Sequence, residues 1–328
     1  MSETTASLRR QIESAADLQS VVRTMKAMAA ASIGQYERSV RALADYARTV
    51  ELGLSVCVRH AEPEALARPA RMSPGHPGAI GAVVFGSDQG LVGRFNDVVA
   101  DHAIAALAAL PGTPRVWAVG ERVHAALLDA GLLVRAHFPV PGAVAAIAPL
   151  VGRILVESES GEGGAAITEL HLFYNRPTSA AGYAPVGQRL LPLDDTWHRT
   201  MAARRWPGEA LPEVIGAGTA TLRSFVREYL FVSLFRACAE SLASENASRL
   251  TAMQRADQNI DDLLAAFSAR FHRVRQSGID EELFDVIAGF EVLAKPKAAD
   301  GPPHRRRAHT RGVRGPRAER EGTGWHRG

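Results

Sequence analysis

The chain has 328 residues, of which 46% are hydrophobic and only 6% aromatic, a balance that favours long alanine-rich helices over a sandwich of short strands. Its net charge of +3 is unevenly distributed: residues 295–328 hold ten Lys or Arg and three Asp or Glu, a net of +7, so residues 1–294 carry −4. This distribution does not indicate a protein-wide basic surface for nucleic acid. There is no run of about 18 apolar residues and no apolar stretch at the N-terminus, so we expect no membrane span, no signal peptide and a location in the cytoplasm.

Residues 1–62 contain no proline and are predicted to form one long helix. A seam of apolar or small residues repeats at intervals of about 3.5, which keeps it facing a partner helix and predicts a left-handed coiled coil. We expect Ser7, Thr4 or Thr5 to cap the start of the helix. The predicted seam consists of Leu8, Ile12, Ala15, Leu18, Val22, Met25, Ala29, Ile33, Tyr36, Val40, Leu43, Ala47, Val50 and Leu54.

Residues 63–212 alternate short β-rich runs with helical runs, punctuated by Gly and Pro, which predicts an α/β domain with a largely parallel sheet. The predicted strands are 79–85, 115–119, 132–138, 169–174 and 188–193, with a loop around Asn175, Pro177 and Gly182 before the last strand. The predicted helices are 95–110, 121–130 and 144–157.

Residues 213–294 again form a predicted long helix. Its seam also repeats at about 3.5 residues, and we expect the two long helices to cover each other. The predicted fold is therefore an antiparallel coiled coil of the N- and C-terminal helices with a Rossmann-like α/β domain inserted between them. Residues 295–328 are predicted to be a disordered basic tail. The C-terminal seam consists of Leu250, Met253, Ala256, Ile260, Leu264, Phe267, Phe271 and Val274.

A search for catalytic chemistry finds one candidate, the loop Gly86–Gly93, which follows a strand and precedes a helix as phosphate loops do. It lacks the GK[ST] of a Walker loop and the spacing of GxGxxG, so we interpret it as a structural turn, with a nucleotide site as the less favoured alternative. The histidines form no HExxH motif and no cluster with metal-ligand spacing. We therefore expect no catalytic residue, cofactor or metal.

The remaining polar and sulfur-containing groups have structural interpretations. The acidic pairs Asp261-Asp262 and Glu281-Glu282 are expected on a solvated helix face. Cys57 and Cys238 lack a CxxC partner and are expected to be buried thiols without a disulfide.

Four stretches of the sequence carry a family resemblance. Residues 24–32 read TMKAMAAAS, residues 87–96 read SDQGLVGRFN, residues 243–249 read ASENASR with Ala252-Met253 after them, and residues 275–282 read RQSGIDEE with an Ile287-Ala288-Gly289 echo. In this order they resemble the AMKMVAAS, SDRGLCGGFN, ASEHAARMxAM, ARQAxITxE and IVxGA stretches of F-type ATP synthase gamma subunits. The resemblance extends to about Leu293, and its C-terminal motifs are the most specific.

The resemblance implies a rotor without a catalytic site of its own. In that family the coiled coil stands inside a ring of three alpha and three beta subunits, and its foot rests on epsilon and on the membrane c-ring, so the chain would be peripheral to the bacterial inner membrane. Ion flow turns the shaft, which drives the beta sites through their states in sequence. Matched motif by motif, Met25 and Lys26 would face an acidic loop of beta, while Arg275 and Gln276 would form a polar catch with another beta loop.

Several residues depart from the family pattern. Gln89 and Val92 replace an Arg and a Cys, Asp280 replaces a Thr, and Gly278 costs a helix about 1 kcal/mol relative to Ala. We interpret the chain as a divergent bacterial member and suggest the alternative, sodium-type branch. Two other interpretations stay open: a coiled-coil scaffold whose basic tail binds nucleic acid, and a nucleotide-binding enzyme that uses Gly86–Gly93. The tail has no counterpart in the family pattern, and we expect it to be dispensable.

Overall fold

The computed structural model describes residues 4–60, 79–159, 167–178, 182–210, 212–214 and 218–294. The chain divides into two compact units, Met1–His272 and Arg273–Gly328. The first holds almost all of the secondary structure, and the second is helical as far as residue 294. The predicted tail, residues 295–328, lies outside the described residues. Among the described helices, none combines the length and the apolar content that a membrane span requires.

Two helices dominate the chain: α1 spans Thr5–His60 and α6 spans Gly218–Ala294. The predicted cap is present at the start of α1, where the Thr4 hydroxyl accepts a hydrogen bond from the Ser7 amide at 3.2 Å. The C-terminal helix was predicted to begin at residue 213 and begins instead at Gly218. The prediction that the chain divides into domains at residues 62, 212 and 294 stays a prediction.

Helices α1 and α6 run antiparallel within the first unit. Tyr46 donates a hydrogen bond to Glu228 at 2.7 Å, whereas Lys26, earlier in α1, meets Asp257, later in α6, at 2.6 Å. Between these points and the end of α1, Val50 and Leu54 pack with Val232 in a hydrophobic cluster. The predicted pairing of the two chain ends is therefore confirmed.

The α1 seam differs from the predicted one at a polar position. Leu18 is 60% exposed, whereas Gln19 is only 8% exposed and donates a hydrogen bond to Asp261 of α6. The predicted seam is wrong at Leu18 because it favoured an apolar residue over the strict alternation of four- and three-residue steps. With Gln19 in place, the steps from Ala15 through Gln19 to Val22 are regular.

The part of the chain between the two long helices in sequence forms a five-stranded sheet of order β3-β2-β1-β4-β5. Strands β1 to β4 are mutually parallel, and β5 is antiparallel to β4 at the edge. The strands are β1 Ala79–Phe85, β2 Arg115–Val119, β3 Val134–Phe138, β4 Ile167–Pro177 and β5 Tyr183–Leu191. The connecting helices are α2 Phe95–Ala108, α3 Glu121–Asp129 and α4 Ile147–Glu159, the last preceded by a 3-10 turn, Val144–Ala146.

Both faces of the sheet are covered, and successive β1 residues point to opposite sides. Val83 and Phe85 belong to a core formed with α4 and α6, whereas Ala82 and Val84 belong to a core formed with α2 and α3. Tyr36 of α1 joins the first core. The α1–α6 pair and the α/β part of the first unit are thus joined through one hydrophobic core.

One local prediction is wrong, one helix was not predicted, and the prediction for the cysteines is confirmed. Asn175 and Pro177 belong to β4 and not to a loop, because β4 continues to Pro177 alongside β5. A short helix, α5 Asp195–Ala202, was not predicted, although its cap is visible in the sequence: Asp194 accepts a hydrogen bond from the Trp197 amide at 2.7 Å. Cys57 and Cys238 are buried free thiols, as predicted.

Candidate partner-contact site

Lys26, the first predicted contact cation, lies in an ion cluster between α1 and α6. Its ammonium group is 2.6 Å from the Asp257 carboxylate, which also lies 3.2 Å from Nε of Arg23. The Asp257 side chain is only 14% exposed. The hydrogen bond from Lys26, followed by the bond from Arg23, holds the pKa of Asp257 below its usual range.

Lys26 and Asp257 both occupy seam positions. Lys26 lies four residues after Val22 and three before Ala29, and Asp257 lies four after Met253 and three before Ile260, which are regular seam steps. The sequence had placed Met25 and Ala256 there. Arg23 is the more exposed of the two cations, at 58% against 35% for Lys26, although it also pairs with Asp257.

Next to this cluster, α1 exposes an apolar stripe, here called the α1 stripe: Leu18, Val21 and Met28, with the half-buried Met25 between them. The steps of three, four and three residues place these side chains on one helix face. Leu18 had been assigned to the seam, and Val21 and Met28 were not singled out. The sequence does contain a signal for the α1 stripe: its members form a second apolar repeat on α1, offset from the repeat of the seam.

In the second unit, Arg275 and Gln276 are exposed on α6, as a contact role requires. Beyond them the helix exposes a further set of large apolar side chains, here called the tip stripe: Ile279, Leu283, Val286 and Phe290, accompanied by Phe284 and Ile287. Phe290 is 74% exposed. Exposed apolar faces of this extent mark contact surfaces in soluble proteins. The predicted seam ended at Val274, and this exposed apolar set was not predicted.

The acidic pairs have different surroundings. Glu281, Glu282 and Asp262 are exposed, as predicted for a solvated face. Asp261 is also exposed but accepts the hydrogen bond from Gln19 and lies 3.8 Å from Arg23, so the solvated-face prediction is incomplete there.

The Gly86–Gly93 loop uses its polar groups to hold the chain together. One Asp88 carboxylate oxygen accepts from the Glu121 amide at 3.0 Å, and the other accepts from the Val140 amide at 2.9 Å. The Ser87 amide donates to the Asn96 side chain at 2.9 Å. Gly120, at φ 111°, leaves no room for a Cβ, which would lie 2.7 Å from the Ser87 amide nitrogen. The prediction of a structural turn is confirmed for these groups.

The position where parallel α/β sheets bind ligands is filled by the chain itself. Ligands bind at the carboxyl ends of strands where the strand order reverses, here between β1 and β4. At that point the fully buried Asn175 donates to the Phe95 carbonyl at 2.8 Å, and Ser244 of α6 donates to the Asn175 carbonyl at 3.0 Å. Ser248 donates to the Val92 carbonyl at 2.6 Å, so the second and third sequence motifs contact each other.

α6 also buries a charged pair beside this position. Glu245 and Arg249 form an ion pair at 2.8 Å with both side chains largely buried. Burial raises the pKa of Glu245, and the Arg249 guanidinium opposes that rise. The pair belongs to the third sequence motif and lies in the interior, where it takes part in packing.

Comparison with known proteins extends over nearly the whole chain. A family model described as ATP synthase matches residues 4–293. An ATP synthase gamma chain of Nocardioides sp. is 26% identical over 300 residues, covering 88% of this chain and 96% of its own length. The ATP synthase gamma chain of Sorangium cellulosum is 27% identical over 328 residues, covering 88% of this chain and 98% of its own.

Solved structures share the fold at low sequence identity. A chain in the Euglena gracilis mitochondrial ATP synthase OSCP/F1/c-ring structure has a TM-score of 0.60 and 15% identity, and the match covers 90% of this chain and 98% of the other. A chain in the Tetrahymena thermophila mitochondrial ATP synthase central stalk/c-ring structure has a TM-score of 0.51 and 20% identity, covering 72% and 99%.

Proposed function

We infer the function from one premise: the chain belongs to the ATP synthase family, in which it is a gamma subunit of the F-type enzyme, the rotor of the central stalk. We propose that it stands inside a ring of alpha and beta subunits, contacts epsilon and the c-ring at its other end, and couples their rotation to ATP synthesis or hydrolysis at beta. The observation that carries the proposal is the antiparallel pairing of α1 and α6.

The paired helices suit the transmission of torque. α1 has 56 residues and α6 has 77, and contacts from Leu54 and Val232 at one end to Lys26 and Asp257 along the pair resist relative sliding. A shaft must also turn against its partners without sticking. Exposed apolar side chains support weak, non-directional contacts, and the α1 stripe and the tip stripe offer them separately.

We propose that the chain has no catalytic site, and that it lies on the cytoplasmic face of the bacterial inner membrane, held there by its partners. The filled strand ends at Asn175 and Ser244 support the first point, because the usual ligand position of the α/β part is taken up by packing. ATP chemistry then belongs to the partner subunits. The sodium-type assignment stays a prediction about the membrane sector.

The contact roles need a separate statement for each site. We propose that Arg275 and Gln276 form the catch with a beta loop, since both are exposed on α6 and a guanidinium pairs well with a carboxylate. We also retain a contact of Met25 and Lys26 with the acidic beta loop, with Arg23 as an additional cation. Lys26 then serves two partners, because its ammonium group already bonds to Asp257.

Co-purification tests the assignment. The full chain, tagged and expressed in its own host, should bring down alpha and beta subunits, and its absence from such a complex would contradict the rotor function.

Replacing Arg275 and Gln276 together with Ala should lower the ATPase rate of the purified complex, while α-helical circular dichroism of the chain stays unchanged. Exposed Asp262→Ala is the matched control on the same helix. An unchanged rate in the double variant would remove the catch role and leave the rotor function intact.

A further inference from the structure

Three potential metal ligands meet at the edge of the sheet, away from the long helices' contact sites. Glu121 is the first residue of α3, His124 lies one turn later, and His137 is the next-to-last residue of edge strand β3. Their ligand atoms lie within 4.8 Å of one another. Among the described residues this is the one group of three such side chains that could hold a metal ion.

The backbone brings these residues together in a defined way. Glu121 and His124 are three residues apart and share one face of α3. Strand β3 returns beside β2 in parallel, with His137 paired to Ala118, so that His137 arrives next to the start of α3. The two imidazole rings stack with centroids 4.8 Å apart and an interplanar angle of 13°, and His137 Nε2 is 3.5 Å from the Glu121 carboxylate.

We propose that Glu121, His124 and His137 bind a divalent transition-metal ion of the zinc class. Two imidazole nitrogens and one carboxylate oxygen form a donor set typical of zinc, whereas calcium and magnesium prefer oxygen ligands alone. Ligand atoms in a tetrahedral zinc site are about 3.3 Å apart. Side-chain rotations that move each ligand atom by roughly 1 Å would bring the three atoms to that spacing. A water molecule takes the fourth position, since the Glu121 side chain is 64% exposed.

The bound ion links elements that hydrogen bonds already bring close. Asp88 accepts from the Glu121 amide and from the Val140 amide, which holds the start of α3 near the end of β3. A metal ion on Glu121, His124 and His137 adds a second link between the same two elements. Because an ion that binds only the folded chain stabilises it by mass action, zinc should raise the unfolding temperature.

The test is a zinc titration of the full chain after chelator treatment, followed by isothermal calorimetry. We expect a site that the His124→Gln/His137→Gln double variant loses, with affinity lowered by more than about tenfold, because even residues that merely orient metal ligands cost 10–100-fold. The matched control is His171→Gln, since His171 and Glu169 also form a close pair, at 2.8 Å, which has no third metal-ligating side chain among the residues that the structure describes. This control should bind zinc like the unchanged chain. Subtracting the titration of the double variant from that of the control removes the signal of zinc bound by other histidines.

Two further measurements distinguish a site from general zinc uptake. Glu121→Gln changes an exposed side chain and should lower the affinity about tenfold without affecting folding, as circular dichroism would check. Cobalt bound in place of zinc should give the visible absorption of a four-coordinate ion, lost in the double variant. A double variant that binds zinc as tightly as the unchanged chain, or an unchanged chain that takes up no zinc, overturns the proposal.

Discussion

A single charged pair, Lys26 with Asp257, lies on a seam that is otherwise mostly apolar. Polar seam residues lower stability but specify which positions of two helices face each other. We predict that Lys26→Met lowers the urea midpoint, because the largely buried Asp257 loses its closest partner, and that adding Asp257→Leu recovers most of the loss. The control is Arg9→Met, which breaks an exposed pair with Glu13 and should leave the midpoint unchanged. Equal midpoints for Lys26→Met and Arg9→Met would contradict this role.

The same pair predicts the acid dependence of stability. The folded-state pKa of Asp257 lies below its unfolded value, so its contribution is complete above an unfolded pKa of about 3.9 and is lost as the pH falls through the folded value. Asp257→Asn should therefore be less stable than the unchanged chain at neutral pH, and the difference should shrink in this acid range. Urea titrations at a series of pH values measure it.

At the scale of elements, burial decides which seam leucines matter. Leu54 is fully buried in the cluster with Val50 and Val232, so Leu54→Ala should lower the free energy of unfolding by about 2–5 kcal/mol. Leu18, predicted for the same seam, is mostly exposed, and Leu18→Ala should change it by less than about 0.5 kcal/mol. Chemical denaturation compares the two variants directly, and similar losses would place Leu18 on the seam after all.

The Gly86–Gly93 loop is a second element whose contribution to stability can be measured. Asp88 accepts hydrogen bonds from two backbone amides, those of Glu121 and Val140. Asp88→Ala removes both acceptors and should cost about 1–3 kcal/mol, whereas Asp88→Asn retains an acceptor oxygen and should cost less. Asp101→Ala, on the exposed face of α2, is the control and should be nearly neutral in thermal unfolding. A neutral Asp88→Ala would show that the loop does not tie α3 to β3.

These elements differ in how far sequence could predict them. Strands β1 and β2 were predicted with their observed bounds, because apolar runs buried on both faces have a strong local signal. Strand β5 was predicted at 188–193 but spans Tyr183–Leu191, so the predicted start was five residues late and the predicted end two residues late. Pro185 and Gly187 suggest a loop, although an edge strand tolerates both. A sequence motif was enough to select Arg275 and Gln276, which are exposed. The Lys26–Asp257 ion pair could not be predicted from sequence, because a contact between residues so far apart depends on the register of the two helices.

At the scale of the molecule, the rotor function and the basic segment can be separated. The family match ends at residue 293, while the net charge of +7 lies in residues 295–328. If partner recognition depends on the paired helices and their exposed stripes, a chain ending at Lys295 should still co-purify with alpha and beta subunits. The competing hypothesis, a scaffold that binds nucleic acid, instead predicts a salt-sensitive affinity for DNA that is lost when residues 295–328 are removed.

We therefore predict that truncation after Lys295 leaves assembly and the ATPase rate of the complex within about twofold of the unchanged chain, a difference that corresponds to less than about 0.5 kcal/mol. Measurement of both chains in parallel, by pull-down and by ATPase assay, decides this. The matched comparison is truncation after His272, which removes Arg275, Gln276 and the whole tip stripe and should impair the complex. If both truncations fail alike, residues beyond 295 belong to the rotor, and the exposed helical surface does not suffice to engage the ring.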